Sequence, residues 1–142
     1  MMTNRLLVSL LASLAAFGVP CTACAAETVT CPAVFPMKAL QFGPANDGWT
    51  AEPGDRAPRL IGFGLYSGPP AQLAQLQETS VRKGQSIWNL APPYPGGLWV
   101  QCVYADGALT LARRLSTTSG VCSAPDTLPH NGKPQAVSFV CK

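Results

Sequence analysis

Apolar and polar positions alternate with period two along much of this chain, and such stretches read as strands. "ETVTC", from Glu27 to Cys31, is a short one ended by Pro32. "LIGFGLY", Leu60 to Tyr66, sets Ile61, Phe63 and Leu65 on one face and Gly62 and Gly64 on the other. Two glycines on one face leave bare backbone for a bulky neighbour, and Trp99 or Trp88 is the natural occupant. "SIWNL", residues 86–90, is a further strand. The clearest pattern is "GLWVQCVYADGALTLARRL", Gly97 to Leu115. Asp106-Gly107 marks a hairpin turn there. The register that follows sets Tyr104 opposite Leu109, Cys102 opposite Leu111, Val100 opposite Arg113 and Leu98 opposite Leu115. One face then carries Leu98, Val100, Cys102, Tyr104, Leu109, Leu111 and Leu115, which is a core face. Arg113 points inward in this register, unless the strand end or a bulge turns it out.

Asn131-Gly132 is a second hairpin signal. A two-residue turn there places Cys122 opposite Cys141, at a hydrogen-bonded pair, with side chains on the same face as a cross-strand bridge needs. Pro125, Pro129 and Pro134 disturb this hairpin near its turn, so pairing is expected only at the far end. "SGPPAQLAQLQE" breaks the alternation and predicts one short helix over about 69–78, with prolines in its first turn and Leu73 and Leu76 toward the sheet. Residues 34–59 are rich in Pro, Gly and Asp and read as irregular surface, pinned by Trp49. The predicted fold is mainly β: antiparallel hairpins or a meander, forming a small sandwich or partial barrel with one short helix and two disulfides.

The start of the chain changes the cysteine arithmetic. Arg5 is followed by an apolar run from Leu6 to Val19, then Pro20 and small residues to Ala26. This is the layout of a signal peptide over residues 1–26, and the run is short for a transmembrane helix of about 20 residues. Cleavage is expected before Ala26 or Glu27. Lipidation of Cys21 or Cys24 is disfavoured, because no branched aliphatic residue stands three positions before either. Residues 27–142 are then a single domain by length. Of the six cysteines, Cys31, Cys102, Cys122 and Cys141 remain. An even number in an exported chain reads as a disulfide framework. None of these cysteines has the close spacing of a zinc site. Four cysteines allow three connectivities, and the turn register favours Cys122–Cys141 with Cys31–Cys102.

Charge and chemistry narrow the function class. Lys and Arg number ten, one of them Arg5, against seven Asp and Glu. The charges are scattered, with no basic stripe for nucleic acid and no polybasic membrane patch. The one histidine, His130, sits in a Pro- and Gly-flanked stretch, and any nucleophile–base triad would have to centre on it. Asp47, Glu52 and Asp55, the candidates for two-carboxylate hydrolysis, read better as a solvated loop. No catalytic residue, metal ligand or cofactor is assigned.

The order Cys31-Pro32, Gly48-Trp49, Tyr66-Ser67-Gly68-Pro69-Pro70, Trp88, then Trp99-Val100-Gln101-Cys102-Val103-Tyr104, Leu109 through Leu115, Cys122 and Cys141 resembles a family of small exported Gram-negative proteins. That family is named after a Salmonella Typhi locus and is functionally uncharacterised. The resemblance covers nearly all of residues 27–142. It implies a periplasmic or secreted location and a compact β-rich fold, and it supplies no active site.

The reading is an exported, non-catalytic protein-binding domain of inhibitor or immunity type, whose partner is another envelope or secreted protein. Tyr94, in the loop "APPYPGGLW", and Trp99 and Arg114 on the outward face of the hairpin are the candidate partner contacts. The alternative is a structural or small-ligand-binding envelope protein, with a pocket between the expected helix and the sheet. A hydrolase ranks below both.

Overall fold

The computed structural model describes residues 25–41, 54–128 and 132–142. The expected leader up to Cys24, Asp47, Trp49, Glu52, His130 and Asn131 lie outside them. The described residues form eight strands: β1 Glu27–Cys31, β2 Leu60–Ser67, β3 Ser80–Arg82, β4 Gln85–Leu90, β5 Leu98–Tyr104, β6 Leu109–Arg114, β7 Gly120–Pro125 and β8 Val137–Cys141. They form two antiparallel sheets, one in the order β1-β8-β7-β4-β3 and one in the order β2-β5-β6. The inward residues of both sheets share one core, as in a sandwich.

Alternation puts the apolar side chains there. Leu98, Val100, Cys102 and Tyr104 of β5 are buried, as are Val137, Phe139 and Cys141 of β8. The Phe63 ring of β2 meets the Phe139 ring of β8 edge-on, with centroids 5.6 Å apart, so the two sheets touch through aromatic rings. Cys31–Cys102 ties β1 to β5 and thus one sheet to the other. Cys122–Cys141 joins neighbouring strands β7 and β8.

Both hairpin registers hold, with differences at the turns. Tyr104 pairs with Leu109, Cys102 with Leu111 and Val100 with Arg113. The loop has four residues rather than two. Ala105, Asp106 and Gly107 all take positive φ, and Tyr104↔Leu109 is the last pair before it. Arg113 is exposed at the strand end, so its inward register position does not bury it. Cys122 pairs with Cys141, and of this hairpin only Ser123↔Val140 pairs beside it. Val121 and Lys142 exchange both backbone hydrogen bonds, at 2.9 Å each. The cysteines therefore occupy a non-hydrogen-bonded pair, with Cα atoms 4.1 Å apart. The expected hydrogen-bonded phase assumed an unbroken ladder back to the turn, and the prolines interrupt it.

Four expectations are corrected. No helix forms over 69–78. Pro70–Gln72 is one 3-10 turn, and Leu73 then adopts a left-handed conformation. The backbone groups beyond it bond to the edge of β2 instead: Ser67 N–H to Ala74 C=O at 2.9 Å and Leu76 N–H to Leu65 C=O at 2.8 Å. Ile61 is exposed, because a bulge between Leu60 and Gly62 makes it the extra residue and turns Leu60 inward. The space over Gly64 is taken by Gln75 and Tyr66, not by a tryptophan. Phe35, in the stretch read as surface, is buried edge-on against Tyr104 with centroids 5.3 Å apart.

The β3–β4 hairpin was not foreseen. Lys83 and Gly84, at φ 51° and 72°, make its two-residue turn, and Arg82 pairs with Gln85. Lys-Gly is a weaker turn signal than Asn-Gly.

Candidate protein-binding surface

The pleat that turns alternate residues of β2, β5 and β6 toward the core turns the others outward. Register sets these in cross-strand rows: Tyr66–Trp99–Arg114, Gly64–Gln101–Ala112 and Gly62–Val103–Thr110. The first row joins two half-buried aromatic residues to an exposed cation. The Trp99 indole N–H donates to the Gly96 carbonyl at 2.9 Å, which orients the ring. The Arg114 side chain folds back over Gly97, where an added Cβ would lie 2.5 Å from its Nε. Gly97 also has φ 75°, so glycine is demanded by both space and conformation. Among the described residues Arg114 forms no ion pair.

A loop frames this row. Gly68 N–H donates to Gly97 C=O at 2.7 Å, holding the end of β2 against the start of β5. The Gln72 carboxamide reaches back to Gly68, and the Gln75 carboxamide lies over Gly64 beside Tyr66. Between these two glutamines Leu73 stands 84% exposed at φ 58°. A leucine with positive φ costs roughly 1 kcal/mol or more relative to its right-handed form, and here it gains no burial in return. Stored backbone strain combined with an exposed apolar side chain is a pointer to function. Sequence reading assigned Leu73 to a helix facing the sheet, so it was missed. Its signal was the Pro69-Pro70 pair, which starts a turn as readily as a helix.

The candidate contacts divide. Trp99 and Arg114 stand side by side on the row, with Tyr66 beyond Trp99. Tyr94 does not join it. Its ring is half-buried against the core, and its hydroxyl accepts the Ala91 N–H at 3.1 Å, so the side chain secures its own loop.

The other charged contact lies where β1 meets the chain after β6. The Glu27 carboxylate accepts the N–H of Ser116 at 2.9 Å and of Thr117 at 2.9 Å. Burial raises its pKa, but the two N–H donors and the nearby Arg113 outweigh this and hold it below the ordinary glutamate value. The carboxylate thus clamps the chain after β6 to the start of β1. Among the described residues no three His, Cys, Asp or Glu side chains converge as metal ligands would. The same residues contain no helix long and apolar enough to cross a membrane. The pocket imagined between a helix and the sheet has no helix to build it. An apolar cleft of about 200 Å³ instead opens between β1 and β6, lined by Val29, Pro32, Val100, Cys102, Leu111 and Arg113 among others.

Residues 55–142 match the family model described as Type VI secretion system Tli immunity protein. No curated protein and no solved structure matches the chain. The match supports a small immunity-type family. It carries a function class, where the resemblance to the Salmonella Typhi locus family implied none, and it does not support that family's name.

Proposed function

Because the chain belongs to the Type VI secretion system Tli immunity protein family, we propose that it neutralises a toxin effector by binding it, without chemistry of its own. The family match carries this reading. It spans β2 to β8, and so includes every residue of the Tyr66–Trp99–Arg114 row and the Leu73 loop. We assign the toxin contact to that row and loop. A tryptophan and an arginine side by side on a sheet have the composition of an interface centre, and the exposed Leu73 on the flanking loop adds apolar area. Tyr94 supports the loop behind them. The site of action is the periplasm, reached through cleavage of residues 1–26. Two disulfides support that location, since they persist in oxidising compartments.

The test is co-purification with the toxin encoded by the neighbouring gene. The expected result is a stoichiometric complex, rescue of cells that express the toxin in the periplasm, and loss of both on Trp99→Ala with Arg114→Ala. A toxin that stays unbound and active in the presence of the folded chain overturns the reading.

A further inference from the structure

The two sides of the sandwich are finished differently. On one side the edge of β2 is covered. Residues 74–76 bond to it at one end. At the other end Val34 bridges Arg59, Leu60 N–H donates to Ala33 C=O at 3.0 Å, and Phe35 N–H donates to Pro58 C=O at 2.7 Å. The chain then crosses to the other sheet, where Thr79 N–H donates to Ile87 C=O at 2.7 Å and the Trp88 indole donates to Leu76 C=O at 3.2 Å. On the opposite side, β6 pairs with β5 alone among the described residues.

The hydrogen-bond phase of β6 follows from two observations. Leu115 N–H donates to Leu98 C=O at 2.8 Å, and Gly68 N–H donates to Gly97 C=O at 2.7 Å. Even-numbered positions of β5 therefore bond toward β6 and odd-numbered ones toward β2. Bonded and non-bonded pairs alternate in an antiparallel ladder. Leu109, Leu111 and Arg113 thus spend their backbone groups on β5, while Thr110, Ala112 and Arg114 turn N–H and C=O outward along the edge. The apolar cleft of about 200 Å³ runs beside this edge, between β6 and β1. Arg113 lines its far end, and the next residue, Arg114, stands on the outward face over Gly97, so this end of the edge is cationic on both faces. Glu27 answers Arg113 only, and Arg114 has no acidic partner among the described residues.

An uncovered edge with unspent donors and acceptors is a template for another strand. Its complement here is an extended segment with an apolar side chain for the cleft and a carboxylate for Arg114. A second copy of β6 offers the apolar side chains but no carboxylate. We infer that the edge of β6 receives an acidic, extended segment of the toxin effector, which adds to β2-β5-β6 as a fourth strand. This rests on the immunity reading, and it extends the proposed contact from the outward face around Arg114 onto the edge.

The experiment measures amide hydrogen exchange of the full chain with and without the purified toxin, together with the affinity of Ala112→Pro. Proline at Ala112 removes only an outward N–H and leaves the bonds to β5 in place. Expected are slowed exchange at Thr110, Ala112 and Arg114 in the complex and at least a tenfold loss of affinity in the variant. Unchanged exchange at those three amides in a complex that does form overturns the edge inference alone. Slowed exchange that depends on the concentration of this chain without toxin also overturns it, since a second copy is then the occupant. A wild-type chain that never binds the toxin overturns the immunity reading itself. Should Ala112→Pro not fold, the exchange measurement on the wild type still decides.

Discussion

The Tyr104 hydroxyl donates to the carbonyl of Pro32 at 2.8 Å, so β5 is fastened to the chain just after β1. Cys31–Cys102 makes the same connection one residue earlier on β1 and two earlier on β5. Tyr104→Phe leaves that carbonyl without its donor and is expected to cost about 1–2 kcal/mol in denaturant unfolding. It also changes the alkaline limit. Burial raises the phenol pKa above its ordinary value of 10.0. A raised folded-state pKa gives stability that is full below the unfolded value and lost as pH rises through the folded one. The wild type should therefore lose stability above pH 10, and Tyr104→Phe should lose less. An equal loss in both proteins would refute this role.

Cys102 is buried among Val100, Tyr104 and Leu111, and its bridge joins the two sheets. Its removal is expected to cost about 2–5 kcal/mol. Cys102→Ser should be worse than Cys102→Ala, because the hydroxyl enters an apolar site without a partner. Chemical denaturation ranks the two variants. Peptide mapping of the unreduced protein should show Cys31 joined to Cys102 and Cys122 to Cys141.

Glu27 holds two backbone N–H groups while its pKa lies below the ordinary glutamate value. A depressed folded-state pKa gives stability that is present above the unfolded value and lost as pH falls through the folded one. Thermal unfolding followed from neutral pH to pH 3 should show wild type and Glu27→Gln converging at the acid end. A constant gap across that range would mean that the carboxylate charge contributes nothing.

Leu73→Gly relieves the positive φ and removes no buried surface. The gain is offset in part by the greater freedom of glycine in the unfolded chain. Melting temperature should hold or rise by a few degrees, while affinity for the toxin falls about tenfold, as for an interface anchor. Leu73→Ala, which keeps the strain, should lose the affinity without the thermal gain. Toxin binding unchanged in both variants would remove Leu73 from the interface.

Alternation and turn residues made most of the β-structure legible. The Leu98 to Leu115 ladder and the Cys122–Cys141 pairing follow from period two and two turn signals. The misreadings lie where non-local pairing overrides local preference. Residues 73–78 favour helix in isolation, but the open edge of β2 claims the backbone of 74–76. Ile61 fits the alternation and is displaced by a bulge that no residue pattern announces. Phe35 sits in a Pro- and Gly-rich stretch and is core because Tyr104 needs a partner across the sandwich. Trp99 and Arg114 were legible as outward neighbours, since the register sets them opposite. Leu73 was not, because its exposure depends on a left-handed turn made after two prolines.

β8 comes late in the chain but lies inside its sheet, between β1 and β7. A chain emerging from its N-terminal end therefore makes β1 long before the strand that β1 needs. Glu27 waits for Cys141, and Cys122 waits for the same residue. Such distant pairings make folding slow and late. A product cut short before Val137 lacks the inner strand of the larger sheet, so its first strand and its second bridge both lack a counterpart. Arrival of β8 thus becomes the event that commits the five-stranded sheet, and a chain truncated before Val137 is expected to be more open to proteolysis.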